Sequence, residues 1–186
     1  MANVLIQAKQ SSDRTKVREL LYDPSADGLV IIEADHHKVH AGEMYSLSGS
    51  FQLTAGSTLY FHGLTDGTTA HFRSASIQAT GAPISVTFYE DATVSANGTP
   101  VTPFNRNRNS ANTPTMLTFS GPTVTDPGTL LESGLIPVAG GGKQSGIASL
   151  FGTEWVLASA TSYLIGVTNN DTNTVTIGYN FLWYEV

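Results

Sequence analysis

The chain has 186 residues, which fits one domain or one domain plus an arm, and its 40% apolar content supplies a core and excludes wholesale disorder. Nine Lys and Arg against fifteen Asp and Glu leave a net charge of −6 without any basic cluster, so the phosphate neutralisation that nucleic-acid binding requires is missing. No apolar run approaches the ~20 residues of a bilayer span, and the absence of Cys removes disulfides, thiolate zinc sites and Cys nucleophiles.

Charge is spread unevenly along the chain. Residues 1–43 hold 12 of the 24 charged side chains, which separates an N-terminal arm or small subdomain, residues 1–42, from a domain over residues 43–186. Within the arm the apolar stretch at residues 4–6 is too short for a signal peptide. Ser12 is placed to cap a short helix through Arg14, Val17, Leu20 and Leu21, and residues 29–32 read as a strand. The arm is therefore expected to be extended or partly helical.

The arm ends in His36, His37 and His40 beside Glu33 and Asp35. His36 and His40 share a face on a helix, and with Lys38 they share one on a strand. Imidazoles at this spacing are candidate ligands for zinc or nickel. Lys38 between them and the missing fourth ligand argue against a closed site, so the expectation is a solvated connector with no metal and no cofactor.

From residue 43 the period is two. Residues 58–65 and 68–79 flank Asp66-Gly67, a dipeptide suited to the positive φ angles of a type I′ turn, and predict a hairpin. Ile84, Val86 and Phe88 alternate with Ser85, Thr87 and Tyr89. Asn97-Gly98 marks another tight turn, after which Pro100 confines its strand to an edge. Strands are also expected at residues 116–120, 130–138 and 154–158. At the C-terminus Val175, Ile177, Tyr179, Phe181 and Trp183 occupy every second position. They follow a strand carrying Tyr163, Ile165 and Val167 and a turn-forming loop, residues 169–173, so this pair also reads as a hairpin. Short strands without a convincing helix between them, on a Thr-, Ser- and Gly-rich background, predict an all-β antiparallel β-sandwich, with a jelly roll as the first choice.

Two long loops interrupt the strands. Residues 102–114 contain Asn105, Arg106, Asn107, Arg108 and Asn109, with two of the four positive charges beyond residue 43; residues 139–146 are glycine-rich. Arg106 and Arg108 can make bidentate bonds to carboxylates of another chain or cap acidic loops of their own domain, and Asn105 and Asn109 belong to the same interaction candidate. Trp155 is the aromatic expected to be exposed for sugar stacking, whereas Tyr179 and Trp183 fall on the core stripe. Glu90 and Asp91 are the adjacent carboxylates, but neighbours on a strand point to opposite faces, which suits glycoside hydrolysis badly. No nucleophile elbow, P-loop, zincin or dinucleotide fingerprint is present, and no catalytic residue is assigned.

The segments Phe88-Tyr89-Glu90, Val94-Ser95-Ala96-Asn97-Gly98-Thr99, Phe104-Asn105-Arg106-Asn107-Arg108-Asn109-Ser110 and Phe181-Leu182-Trp183-Tyr184-Glu185-Val186 resemble those of small head-decoration or head-fibre proteins of tailed bacteriophages, over roughly residues 35–186. The resemblance implies a β-sandwich without enzymatic activity, self-association as a homotrimer, and attachment to the major capsid protein on the virion exterior after synthesis in the bacterial cytoplasm. The competing expectation is a tail-associated or host-glycan-binding β-sandwich using Trp155 and the long loops.

Overall fold

The computed structural model describes residues 22–23, 28–29, 34–137, 147–150 and 154–186. The chain divides into two compact units, Met1–Ala34 and Asp35–Val186. In the first, β1 (Tyr22–Asp23) pairs antiparallel with β2 (Gly28–Leu29). The helix expected from Ser12 lies outside the described residues, as do residues 30–32 of the expected strand.

The second unit takes in all of α1 (Ala34–Ala41) except Ala34. Along the chain follow β3 (Met44–Leu53), β4 (Thr58–Leu64), β5 (Ala70–Ala79), β6 (Ile84–Glu90) and β7 (Thr93–Ala96). The short strands β8 (Thr99–Pro100) and β9 (Phe104–Asn105) precede β10 (Leu117–Ser120), β11 (Thr123–Asp126) and β12 (Thr129–Ile136). Last come β13 (Ile147–Leu150), β14 (Trp155–Val156), β15 (Ser162–Asn169) and β16 (Val175–Glu185).

All of these strands but β7 and β11 build two antiparallel sheets packed face to face, an all-β sandwich as expected. One has the order β12-β6-β15-β4-β10-β8, the other β13-β5-β16-β3-β9 with β14 also on β5. Period two explains the packing: Ile84, Val86 and Phe88 of the first sheet and Val175, Ile177, Phe181 and Trp183 of the second are buried in one core. Aromatic rings bridge the layers, with Phe61 edge-on to Phe181 at 5.0 Å and Phe72 stacked on Phe88 at 5.9 Å.

Two expected hairpins are corners instead. β15 and β16 lie in different sheets, as do β4 and β5. The apolar faces of each consecutive pair therefore meet across the core rather than lying side by side. The 169–173 loop makes its corner by burying Asn169, whose Nδ2 donates to the carbonyls of Leu53 (2.9 Å) and Asn173 (2.8 Å). Gly67 does not adopt the positive φ that a type I′ turn needs; Gly98 does, at 92°. Pro100 lies on the outermost strand of its sheet, where its missing N–H breaks no ladder.

β7 and β11 form a ribbon of their own. Between them residues 97–122 run to the β3–β4 side of the sandwich, where β10 and β8 extend one sheet and β9 the other. That excursion carries the expected interaction loop. The glycine-rich residues 139–146 lie outside the described residues.

Candidate functional site

The loop after β9 is built on its asparagines. Asn105 is buried; its Nδ2 donates to the Gly42 carbonyl (2.8 Å) and the Asn112 carbonyl (3.1 Å), and its Oδ1 accepts the Asn107 N–H (2.8 Å). Asn107 repeats the pattern, accepting the Asn109 N–H at 3.1 Å and donating to the His40 carbonyl at 3.0 Å. These side chains satisfy backbone groups that the turns leave open. Asn105 is thus an anchor of the loop, and Asn109 is exposed at its tip.

The anchored loop presents Phe104, Arg106 and Arg108. Phe104 is 58% exposed on the edge strand β9, and the Arg108 guanidinium stands 5.5 Å from its ring centroid. Arg106 and Arg108 are exposed and form no ion pair among the described residues. On the same side of the sandwich Leu117 of β10 is more than half exposed. An exposed aromatic ring, an exposed leucine and two unpaired guanidiniums make a surface suited to a partner that offers apolar area and carboxylates.

The histidines lie on α1, so of the two spacings it is the helical one, with His36 and His40 on a shared face, that applies. Gly42, at φ 73°, closes the helix: the Gly42 N–H bonds the Val39 carbonyl and the Glu43 N–H bonds the Lys38 carbonyl, both at 3.0 Å. Asp35 and Lys38 face the second sheet. Asp35 accepts from Arg73 Nη2 at 2.8 Å, and Lys38 bonds Glu43 at 2.6 Å while lying 5.3 Å from the Tyr184 ring centroid. His36, His37 and His40 are exposed.

Arg73 is the hub of a polar cluster that the sequence reading missed. Its Nη1 donates to Glu154 Oε2 at 3.0 Å, and the same oxygen accepts the Tyr184 hydroxyl at 3.2 Å. Tyr184 stacks on His71 and shares a 3.0 Å hydrogen bond with its Nδ1. The bond to Glu154 raises the Arg73 pKa. At Glu154, desolvation by burial pushes the pKa up, but hydrogen bonds from Arg73 and Tyr184 outweigh it and hold the carboxyl below its ordinary 4.5. The available signal was Arg73 itself, a lone cation in a weakly charged strand, which calls for a carboxylate.

The remaining candidates are held in structural bonds. Trp155 is half-buried, edge-on to Phe88 at 6.1 Å, and its Nε1 donates to Glu132 at 3.2 Å; it is not an open stacking platform. Glu90 accepts the Tyr163 hydroxyl at 2.6 Å, and burial followed by this bond pushes the phenol pKa up. Asp91, beside it, turns to solvent at φ 59°. Glu185 is buried and accepts from the Thr115 N–H and Oγ1, the Met116 N–H and the Trp183 Nε1, at 2.7–3.2 Å.

His62 is 1% exposed, with Nε2 2.9 Å from Ser162 Oγ and Nδ1 lacking a hydrogen-bond partner among the described residues. Serine and imidazole at this distance can form a nucleophile and its base, but no third group orients the ring through Nδ1. Between the sheets a cavity of about 40 Å³, lined by Phe61, Phe72, Phe88, Phe181 and Trp183 among others, is far below the volume of an organic ligand. Among the described residues no group of three or more His, Cys, Asp or Glu converges on a metal position, and no helix is long and apolar enough to cross a membrane.

The chain matches no protein-family model and no curated protein.

Proposed function

We propose that this chain is a non-enzymatic structural protein that attaches to the outside of a bacteriophage capsid, bound to the major capsid protein and associated with further copies of itself as a homotrimer. The observation that carries the reading is apolar side chains exposed on the outer strands of both sheets. Phe104 on β9, Leu130 and Leu135 on β12 and Val156 on β14 are each more than half exposed, as is Leu117 on β10, next to the edge strand β8. Outer strands present unpaired backbone groups, and natural monomers usually protect such edges with charge. Here the nearby charges are few, and exposed apolar area of this kind marks protein contacts. Arg106 and Arg108 add directional partners for carboxylates on an acidic shell.

We read the strand order as a jelly roll. The strands β3, β4, β5 and β6 alternate between the sheets, as do β12, β13, β15 and β16. The two resulting four-strand layers are β3-β16-β5-β13 and β4-β15-β6-β12. This architecture recurs in viral capsid and lectin domains. Attachment to the assembled shell, but not to loose subunits, stabilises the shell by mass action, and repetition over the lattice makes weak single contacts sufficient.

Purified protein mixed with isolated expanded capsids will co-sediment and saturate at a fixed ratio to the capsid subunit, and Phe104→Ala with Arg108→Ala will lower occupancy without unfolding the chain. Failure of the wild-type chain to sediment with capsids overturns the proposal.

A further inference from the structure

We propose that His36 and His40 form an open transition-metal site on the outer face of α1, binding one divalent ion of the nickel, copper or zinc type through two imidazole nitrogens. Residues four apart on a helix lie one above the other, and here both rings are exposed with their centroids 4.5 Å apart and their planes inclined by 50°. That spacing matches chelation. An imidazole nitrogen binds such an ion at about 2.1 Å, leaving the ring centroid about 3.2 Å from the metal; two rings subtending about 90° at nickel or copper then stand about 4.5 Å from one another, and at the wider angle of tetrahedral zinc about 5.2 Å.

The helix presents this pair in a fixed direction. Asp35 is held by Arg73, and Lys38 is held by Glu43 and the Tyr184 ring, so the opposite face of α1 is fastened to the sheet. Lys38, the cation that stands between the two histidines in sequence, is thereby turned away from them. At the C-terminal end the Asn107 side chain bonds the His40 carbonyl at 3.0 Å and the Gly42 turn closes the last carbonyls. The backbone that carries both rings is thus already ordered before binding, which favours affinity from only two ligands. His37 lies one position round the helix and is not part of the pair. The other coordination positions remain open to water or to a donor from another molecule.

The test uses the full chain without an affinity tag, titrated with Ni²⁺ by calorimetry at about pH 7.5. One ion per chain is expected. His36→Ala and His40→Ala will each weaken binding by at least about tenfold, whereas His37→Ala will not. Paramagnetic broadening of histidine ring signals will be strongest at His36 and His40. The proposal fails if the wild-type chain binds no ion, if either alanine variant binds like wild type, or if His37→Ala loses as much as the other two. All three residues are exposed, and unchanged far-ultraviolet dichroism will establish that each variant is folded.

Discussion

Burying an imidazole penalises its charged form, and burial holds the His62 pKa below its ordinary 6.5, an effect that the nearby Asn97 main chain offsets only in part. Between the folded and unfolded values the unfolded chain binds the extra proton, so stability rises with pH through that window and is lost as pH falls below 6.5. Urea unfolding at about pH 7.5 and pH 5.5 will show this loss, and His62→Gln will reduce it; an unchanged pH dependence in the variant refutes the assignment. Glu154 acts in a separate window, because its depressed carboxyl pKa removes stability only as pH falls below 4.5. None of this chemistry was visible from the chain alone. His62 follows Phe61 on β4, and alternation places it on the outer face of the sheet, where solvent would be expected. Ser162 reaches it from β15 and Phe119 from β10. Glu185 was more accessible to reasoning, since it continues the phase of Val175, Ile177, Phe181 and Trp183 and so falls on the core face.

At the scale of elements, α1, β3 and the asparagine loop meet at Gly42. Its φ of 73° suits glycine, its carbonyl accepts from Asn105 and Asn112, and a Cβ there would collide with the Ser110 side chain. Gly42→Ala is expected to lower unfolding free energy by about 2 kcal/mol, combining a left-handed backbone with a steric clash. Gly67→Ala, where a Cβ meets nothing within 4 Å, is the matched control and will change stability by less than about 0.5 kcal/mol. Denaturant midpoints of the two variants decide the matter, and equal losses would refute it. The strands themselves were legible because alternation reports which side chains share a face. Their partners were not, because alternation is identical for a strand that turns back beside its neighbour and for one that crosses to the opposite layer. The loops at 65–69 and 169–173 have turn-forming residues in either case. Composition likewise marked the asparagine loop as unusual without distinguishing Asn105, which is buried, from Arg108, which is displayed.

For the molecule as a whole, the core formed by the described residues lies within residues 35–186. A chain beginning at Asp35 is therefore expected to retain one cooperative thermal transition and the tertiary near-ultraviolet dichroism of its buried aromatic residues, while binding capsids more weakly than the full chain. Collapse of the fold on truncation would show that the preceding residues are part of the core, and undiminished capsid binding would show that they take no part in attachment. The order of strands also governs how the molecule is made. In each sheet the middle position belongs to a late strand: β15 separates β4 from β6, and β16 separates β3 from β5. A nascent polypeptide that has left the ribosome only as far as β12 holds the flanks of both sheets and the centre of neither. Those flanks cannot close on one another, so assembly must wait for the final strands, and the resulting long-range pairing places refolding on the millisecond-to-second scale of high contact order. Until β15 and β16 emerge, the apolar faces of the flanking strands lack the central strand of either sheet.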